Sequence, residues 1–153
     1  MRLADILSVE RVTVRLAAKD KRGALRALAQ LFVDADPRLD ADEITRVFEE
    51  REALASTGVG SGVAIPHGRL AGVDRLVAAL GLSPEGIDFD AIDGRPAHIF
   101  VAVLGPDRHT GEHLKALARF SRILRDEGVR ARLLAAPDAQ AALDVMLAED
   151  RGR

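Results

Sequence analysis

Two apolar segments constrain the fold of this chain more than any other feature of its sequence. Residues 76–82 and 97–104 are almost continuously apolar, and a turn signal of Asp93, Gly94 and Pro96 precedes the second segment. A strand buried on one face alternates apolar and polar residues, whereas a strand buried on both faces is apolar along its length. The two segments therefore predict central strands of a sheet that is covered on both sides.

The remaining periodicities place helices and shorter strands around that sheet. Alternation over residues 12–16 predicts a strand, and a short strand is expected to follow the glycine-rich segment 56–68. Apolar stripes of helical spacing predict five helices, at residues 21–33, 40–54, 110–128, 130–135 and 138–149. The predicted order is strand, two helices, three strands, three helices. This order indicates one α/β domain over residues 1–153 with helices covering a mixed sheet, the last few residues frayed.

Composition excludes several classes of function. The chain has 22 Lys and Arg against 24 Asp and Glu, a formal net charge of -2, and Phe as its only aromatic residue. It therefore lacks the basic and stacking surfaces of nucleic-acid-binding proteins. It has no Cys, which excludes disulfides, thiolate metal sites and cysteine catalysis. No segment has the length and apolarity of a membrane span or a signal peptide, so we expect a soluble cytoplasmic protein without membrane insertion.

The segment from Ser56 to Gly62 has glycine at alternate positions. Backbone N–H groups beside glycines can approach phosphate closely. A Walker loop is excluded because no Gly-Lys-Ser/Thr follows Gly62, and the dinucleotide fingerprint is excluded because Val63 stands where glycine is needed. The hydrolase elbow is excluded because Val59, not glycine, precedes Ser61 by two residues. From spacing alone, a phosphate-binding loop and a plain turn remain alternatives.

A second pattern gives a remote alternative, a zinc hydrolase using His109, Glu112 and His113. The run from His109 to His113 matches the inverted zinc-peptidase pattern, in which two histidines one helical turn apart bind zinc. Thr110 and Gly111, however, have the character of a helix entrance, which would leave His109 outside the helix. His98, within a predicted strand, is expected to be a packed or edge residue and not a ligand.

His67 is the strongest candidate for a reactive group. It follows Pro66, is followed by Gly68, and is predicted to end a strand next to the glycine-rich segment, where active sites of α/β sheets gather. Arg51 on an otherwise apolar helix stripe and His113 in the first turn of a helix add a fixed positive charge and a helix N-terminus. Together they predict an anion site, although each residue alone also fits an ordinary structural role.

The segment from Ser56 to Arg69 closely resembles the phosphorylation-site motif of the fructose/mannitol-type enzyme IIA domains of the bacterial phosphotransferase system. The resemblance extends over nearly the whole chain and is greatest to the nitrogen-regulatory branch. It includes Leu3-Ala4-Asp5-Ile6-Leu7, Phe48-Glu49-Glu50-Arg51-Glu52, Ile87-Asp88-Phe89-Asp90-Ala91-Ile92-Asp93-Gly94 and His113-Leu114. The fold that it implies is a three-layer α/β/α sandwich with a mixed sheet.

The resemblance also implies the chemistry. His67 would accept a phosphoryl group on Nε2, while Arg51 and His113 would stabilise its charge, with no cofactor and no metal. The phosphate loop would comprise Ser56, Thr57, Gly58, Gly60, Ser61 and Gly62. Ser61 is a departure, because relatives often carry Asn at this position.

The resemblance implies protein partners as well. The donor would be a phosphohistidine carrier protein (HPr or NPr), and the regulated targets would include potassium transport systems and sensor kinases. Sugar-specific relatives instead pass the phosphate to a cysteine of a IIB domain. This chain has no Cys, so the alternative role is a sugar-specific enzyme IIA that donates to a separate IIB protein.

Overall fold

A computed structural model describes residues 1–108 and 110–152 of the chain. After two short 3₁₀ helices, Leu3–Asp5 and Val9–Arg11, five helices and six strands are formed within these residues. The helices are α1 (Lys21–Ala35), α2 (Ala41–Leu54), α3 (Thr110–Leu124), α4 (Glu127–Leu134) and α5 (Ala139–Arg151). The strands are β1 (Val12–Thr13), β2 (Gly58–Gly60), β3 (Val63–Ala64), β4 (His67–Arg69), β5 (Val77–Ile87) and β6 (Ala97–Gly105).

The strands form one mixed sheet in the order β1-β5-β6-β3-β2, with β4 also paired to β6. The long strands β5 and β6 are antiparallel, with Leu80 opposite Val101. Strand β1 runs parallel to β5, and both β3 and β4 run parallel to β6. Strand β2 closes an antiparallel hairpin with β3. Since β5 occupies one edge of β6, β3 and β4 follow each other along its other edge.

Helices cover both faces of this sheet. Alternate residues of β6 enter two separate cores, and each of them is at most 1% exposed. Ile99, Val101 and Val103 pack in the core under α3, α4 and α5, whereas Phe100, Ala102 and Leu104 pack in the core under α1 and α2. This confirms the prediction of strands buried on both faces and the three-layer α/β/α architecture.

The glycine-rich segment differs from its prediction. In place of a loop and one short strand it forms β2, β3 and β4, and His67 begins β4 instead of ending a strand. Pro66 separates β3 from β4 because it has no N–H to donate to the ladder, although its carbonyl accepts from Val103 N–H at 2.9 Å. Strands of two or three residues are too short for alternation to reveal them.

Gly128, predicted to end α3, lies instead in the first turn of α4. The side chain of Asp126 accepts hydrogen bonds from the N–H groups of Gly128 at 2.8 Å and Val129 at 3.4 Å. Only Arg125 and Asp126 separate α3 from α4, and the capping of a new helix by Asp126 accounts for the earlier start of α4.

The two ends of the described chain meet at Asp150 on α5. This carboxylate, 5% exposed, accepts from Leu3 N–H at 2.8 Å and from Arg119 Nε of α3. The N-terminal segment is further held by Arg11, whose guanidinium donates to the carbonyls of Ile6 and Ala78. Among the described helices, none combines the length and apolarity that crossing a bilayer requires.

Candidate active site

Close packing of α2 and α3 on two strand ends brings three predicted site residues together. A Cβ at Gly68 would clash with Val47 of α2, so glycine lets α2 approach β4 and places Arg51 beside His67. A Cβ at Gly105, the last residue of β6, would lie 2.9 Å from His113 Nδ1. Glycine is therefore needed at position 105 for α3 to pack closely against the end of β6.

The two ring nitrogens of His67 have different partners. Nδ1 lies 2.8 Å from the carbonyl oxygen of Ile65. A carbonyl can only accept, so Nδ1 carries the proton. Nε2 then carries the electron pair, and Arg51 Nε donates to it at 3.3 Å. The geometry thus fixes one tautomer and aims a cation at the atom that can act as nucleophile.

His113 packs against His67, with ring centroids 5.6 Å apart and an interplanar angle of 58°. It is 6% exposed, and its Nδ1 is buried without a hydrogen-bond partner among the described atoms. A buried polar atom without a partner carries a desolvation cost that ordinary structural histidines avoid. His113 therefore differs from an ordinary packed histidine by an unsatisfied ring nitrogen beside His67.

Both histidines are neutral at neutral pH. Burial lowers the pKa of His67, and the hydrogen bond to the Ile65 carbonyl opposes it; the charge of Arg51 lowers the pKa by a smaller amount, and the Glu52 carboxylate raises it by the least. Burial lowers the pKa of His113 to about 4, with further lowering by His67 and Arg69. A neutral imidazole keeps the electron pair that a nucleophile needs, so the local environment maintains the reactive form.

The first residues of the glycine-rich segment are held by side chains and backbone around them. Ser56 Oγ accepts from Gly58 N–H at 3.0 Å and donates to the Phe89 carbonyl at 3.4 Å. The hydroxyl of Thr57 is buried without a partner among the described atoms. These contacts order the chain between α2 and β2.

Gly60, the last residue of β2, forms the tip of the hairpin with Ser61 and Gly62, which precede β3. Their φ angles are +94°, +58° and +78°, a left-handed turn in which Ser61 occupies a conformation that asparagine tolerates better. Ser61 N–H donates to Asp93 Oδ2 at 3.2 Å. The tip joins the sheet beside Ile99, four residues and about 13 Å along β6 from the partner of His67. The structure therefore groups His67, Arg51 and His113 and sets this tip apart from them.

Glu52 is a site residue that the sequence reasoning missed. One oxygen of its carboxylate accepts from Thr57 N–H at 2.8 Å, and the other lies 2.8 Å from Lys21 Nζ. Its side chain is 5% exposed. Its place directly after Arg51 was the available signal, but a Glu within a charged helical segment ordinarily faces solvent.

The described residues of the zinc alternative, Glu112 and His113, do not face a common site. His109 lies outside the described residues. Glu112 is exposed on α3, whereas His113 is buried against His67. Within residues 1–108 and 110–152, no group of three His, Cys, Asp or Glu residues could hold a metal ion. His98 is half-buried with Nδ1 at 3.0 Å from the Ser83 carbonyl, in agreement with its predicted packing role.

Comparison with known proteins gives a consistent family. The sequence model described as "Phosphoenolpyruvate-dependent sugar phosphotransferase system, EIIA 2" matches residues 5–149. The chain is 35% identical over 153 residues to the nitrogen regulatory protein of Pseudomonas aeruginosa, covering all of this chain and 99% of that protein. It is 38% identical over 144 residues to the fructose-specific EIIA component of Haloferax volcanii, covering 94% of each.

A longer relative and a solved structure are also similar to this chain and carry names of the same family. The chain spans 24% of the length of the fructose-specific EIIABC component of Bacillus subtilis, with 29% identity. Among solved structures, the nitrogen regulatory protein IIA-Ntr of Neisseria meningitidis superposes with a TM-score of 0.87 at 29% identity. The match covers 94% of this chain and 98% of that one.

Proposed function

The chain belongs to the EIIA 2 family of the phosphoenolpyruvate-dependent sugar phosphotransferase system, and from this premise we propose that it is a phosphohistidine phosphocarrier of the nitrogen-related branch. It accepts a phosphoryl group on His67 from a phosphohistidine carrier protein (HPr or NPr). Its phosphorylation state then regulates the proteins that it binds. The similarity to nitrogen regulatory proteins along nearly their whole length supports this branch.

The proposed step is an in-line transfer between two imidazoles. The electron pair of His67 Nε2 forms the new N–P bond, the N–P bond of the donor breaks, and its electron pair returns to the donor imidazole. Nδ1 of His67 keeps its proton, so no proton transfer is required. Arg51 and a neutral N–H of His113 supply positive charge and a donor for the equatorial oxygens, and positioning provides most of the acceleration.

One observation carries the proposal: the hydrogen bond from His67 Nδ1–H to the Ile65 carbonyl leaves Nε2 as an electron-pair donor facing Arg51. A histidine kept for packing alone would have no need of a cation on its unprotonated nitrogen. A nucleophile for phosphate needs both features.

Exposed apolar residues next to the site favour a protein as phosphoryl donor. Leu54, one turn after Arg51, is 81% exposed, and Leu114, which follows His113, is 60% exposed. Large exposed apolar side chains beside polar catalytic groups are typical of protein–protein contacts. Regulated targets such as potassium transport systems or sensor kinases, and a cytoplasmic location shared with the donor, belong to the same proposal.

The decisive test is intact mass after incubation with phosphoenolpyruvate, enzyme I and the carrier protein. We expect one added phosphoryl group on the native chain and none on His67→Ala. His113→Ala should accept the group more slowly, by about 10- to 1000-fold, because one stabilising donor is lost. Phosphorylation of a folded His67→Ala variant would refute the assignment.

A sugar-specific role is the second candidate, because the Haloferax volcanii relative at 38% identity is a fructose-specific EIIA component. In that role the phosphorylated chain would donate to a cysteine of a separate IIB protein. Mixing the phosphorylated chain with a fructose-type IIB and measuring the mass of both proteins separates the two roles. Rapid, complete transfer to IIB would favour the sugar-specific role, and retention of the phosphoryl group would favour the regulatory one.

A further inference from the structure

A continuous series of contacts links the start of α1 to the imidazole of His67. Lys21 Nζ lies 2.8 Å from Glu52 Oε1, and Glu52 Oε2 accepts from Thr57 N–H at 2.8 Å. The Thr57 carbonyl accepts from Ile65 N–H at 2.9 Å. The Ile65 carbonyl in turn accepts from His67 Nδ1–H at 2.8 Å. The backbone of two residues, Thr57 and Ile65, therefore stands between the carboxylate and the ring.

Hydrogen bonds in such a series fix the position of each backbone segment relative to the next. By accepting from Thr57 N–H, the Glu52 carboxylate holds the backbone of Thr57, and the Thr57 carbonyl in turn holds Ile65 N–H, so that the Ile65 carbonyl is fixed against His67 Nδ1–H. A fixed acceptor at Nδ1–H holds that tautomer and leaves the electron pair on Nε2, while the negative charge of Glu52 acts on the ring through space and raises the pKa of His67.

We propose that Glu52 is a positioning residue for phosphoryl transfer, which orients His67 through the backbone of Thr57 and Ile65 and whose charge keeps Nε2 nucleophilic. The inference rests on the proposed function, because it concerns the efficiency of the same nucleophile. Lys21 is the counterion of Glu52, and its positive charge reduces the electrostatic effect of the carboxylate on the His67 ring. Its ammonium also lies 5.0 Å from the centre of the Phe89 ring, and its side chain is 24% exposed.

The charges around His67 allow an effect of Glu52 on the ring to be distinguished from a purely structural role of the Lys21–Glu52 ion pair. Arg51 and Glu52 face it from α2 and His113 faces it from α3, while Arg69 of β4 acts on His113. Removing the charge of Glu52 should lower the pKa of His67, and removing the charge of Lys21 should raise it. If the ion pair only held α1 against α2, both substitutions would break the same contact and change His67 in the same way.

The experiment compares Glu52→Gln with Lys21→Met. Glutamine keeps an oxygen that can accept from Thr57 N–H, and methionine keeps the apolar stem beside Phe89. Glu50→Gln and Lys19→Met, at exposed positions nearby, are matched controls for the loss of one charge. The measurements are the His67 titration by NMR, the rate of phosphoryl transfer at pH 7 and the melting temperature.

We expect Glu52→Gln to lower the pKa of His67 and slow phosphoryl transfer by about three- to tenfold. Lys21→Met should raise this pKa and leave the rate within about twofold of the native value, because the nucleophile is strengthened but protonated more often. The controls Glu50→Gln and Lys19→Met should match the native chain in the pKa of His67 and in the rate of phosphoryl transfer. Equal pKa changes in the two variants, or equal losses of rate, would overturn the inference.

The titration also separates this inference from the proposed function. If the native chain accepted no phosphoryl group, the phosphocarrier assignment would fail while the opposite pKa changes would still be measurable. If Glu52→Gln did not fold, Lys21→Met alone would decide, because an unchanged or lowered pKa of His67 in that variant contradicts an effect of the Glu52 charge on the ring.

Discussion

His113 is a buried imidazole with its pKa lowered to about 4, and this links the stability of the protein to pH. In the unfolded chain a histidine titrates near 6.5, so the unfolded state binds the proton first as the pH falls. The stability associated with neutral His113 is therefore complete above pH 6.5 and is lost progressively as the pH falls towards 4. Neutralising this group permanently should remove that part of the pH dependence.

The corresponding prediction compares the native chain with His113→Asn. Between pH 7.5 and 4.5 the native free energy of unfolding should fall by about 2 to 3 kcal/mol more than that of the variant. Urea denaturation at several pH values measures the difference. Parallel curves for the two proteins would show that His113 is not the group responsible.

At the scale of elements, the contact between α2 and β4 determines the geometry of the site. Gly68→Ala would place a methyl group against Val47, which should destabilise the protein by about 1 to 3 kcal/mol and push Arg51 away from His67. The double variant Gly68→Ala with Val47→Ala should recover part of both stability and phosphoryl transfer. Thermal unfolding and single-turnover transfer rates measure the two effects, and strictly additive losses would contradict the direct contact.

The elements also show what a sequence can reveal. The continuous apolar run of β6 predicted burial on both faces, since both of its cores are apolar, and regular stripes predicted all five helices. Strands β2 and β4 were missed because each has only three residues, glycine among them; β2 depends on a tight hairpin with β3, and β4 depends on pairing with β6, far along the chain. Propensity carries no information about such partners.

The residues of the candidate site also include some that the sequence predicted and one that it did not. His67, Arg51 and His113 were predicted from unusual residue types at element ends and from the family resemblance, and the structure brings them together. Glu52 was not predicted, because its importance comes from a tertiary contact with the Thr57 N–H and not from a spacing. Residues that act through backbone groups leave little trace in a single sequence.

At the scale of the whole molecule, Asp150 holds three separate parts of the chain. Asp150→Ala would leave the Leu3 N–H without its acceptor and Arg119 without its counterion, and we expect a loss of about 2 to 4 kcal/mol. Asp150→Asn keeps an acceptor for the N–H and should lose less. Hydrogen exchange of residues 3–7 should increase most in the alanine variant, and unchanged protection there would contradict the role of this carboxylate.

The meeting of Leu3 and Asp150 has a consequence for chain connectivity. Because the first and last described segments lie together, a short flexible linker could join them, and new ends could be opened in the exposed turn at residues 37–38 between α1 and α2. Such a circular permutant would begin with the helix that carries Arg51 and end with the helix that carries Lys21. The helices and strands would then be synthesised in a different order, while every contact around His67 would be retained.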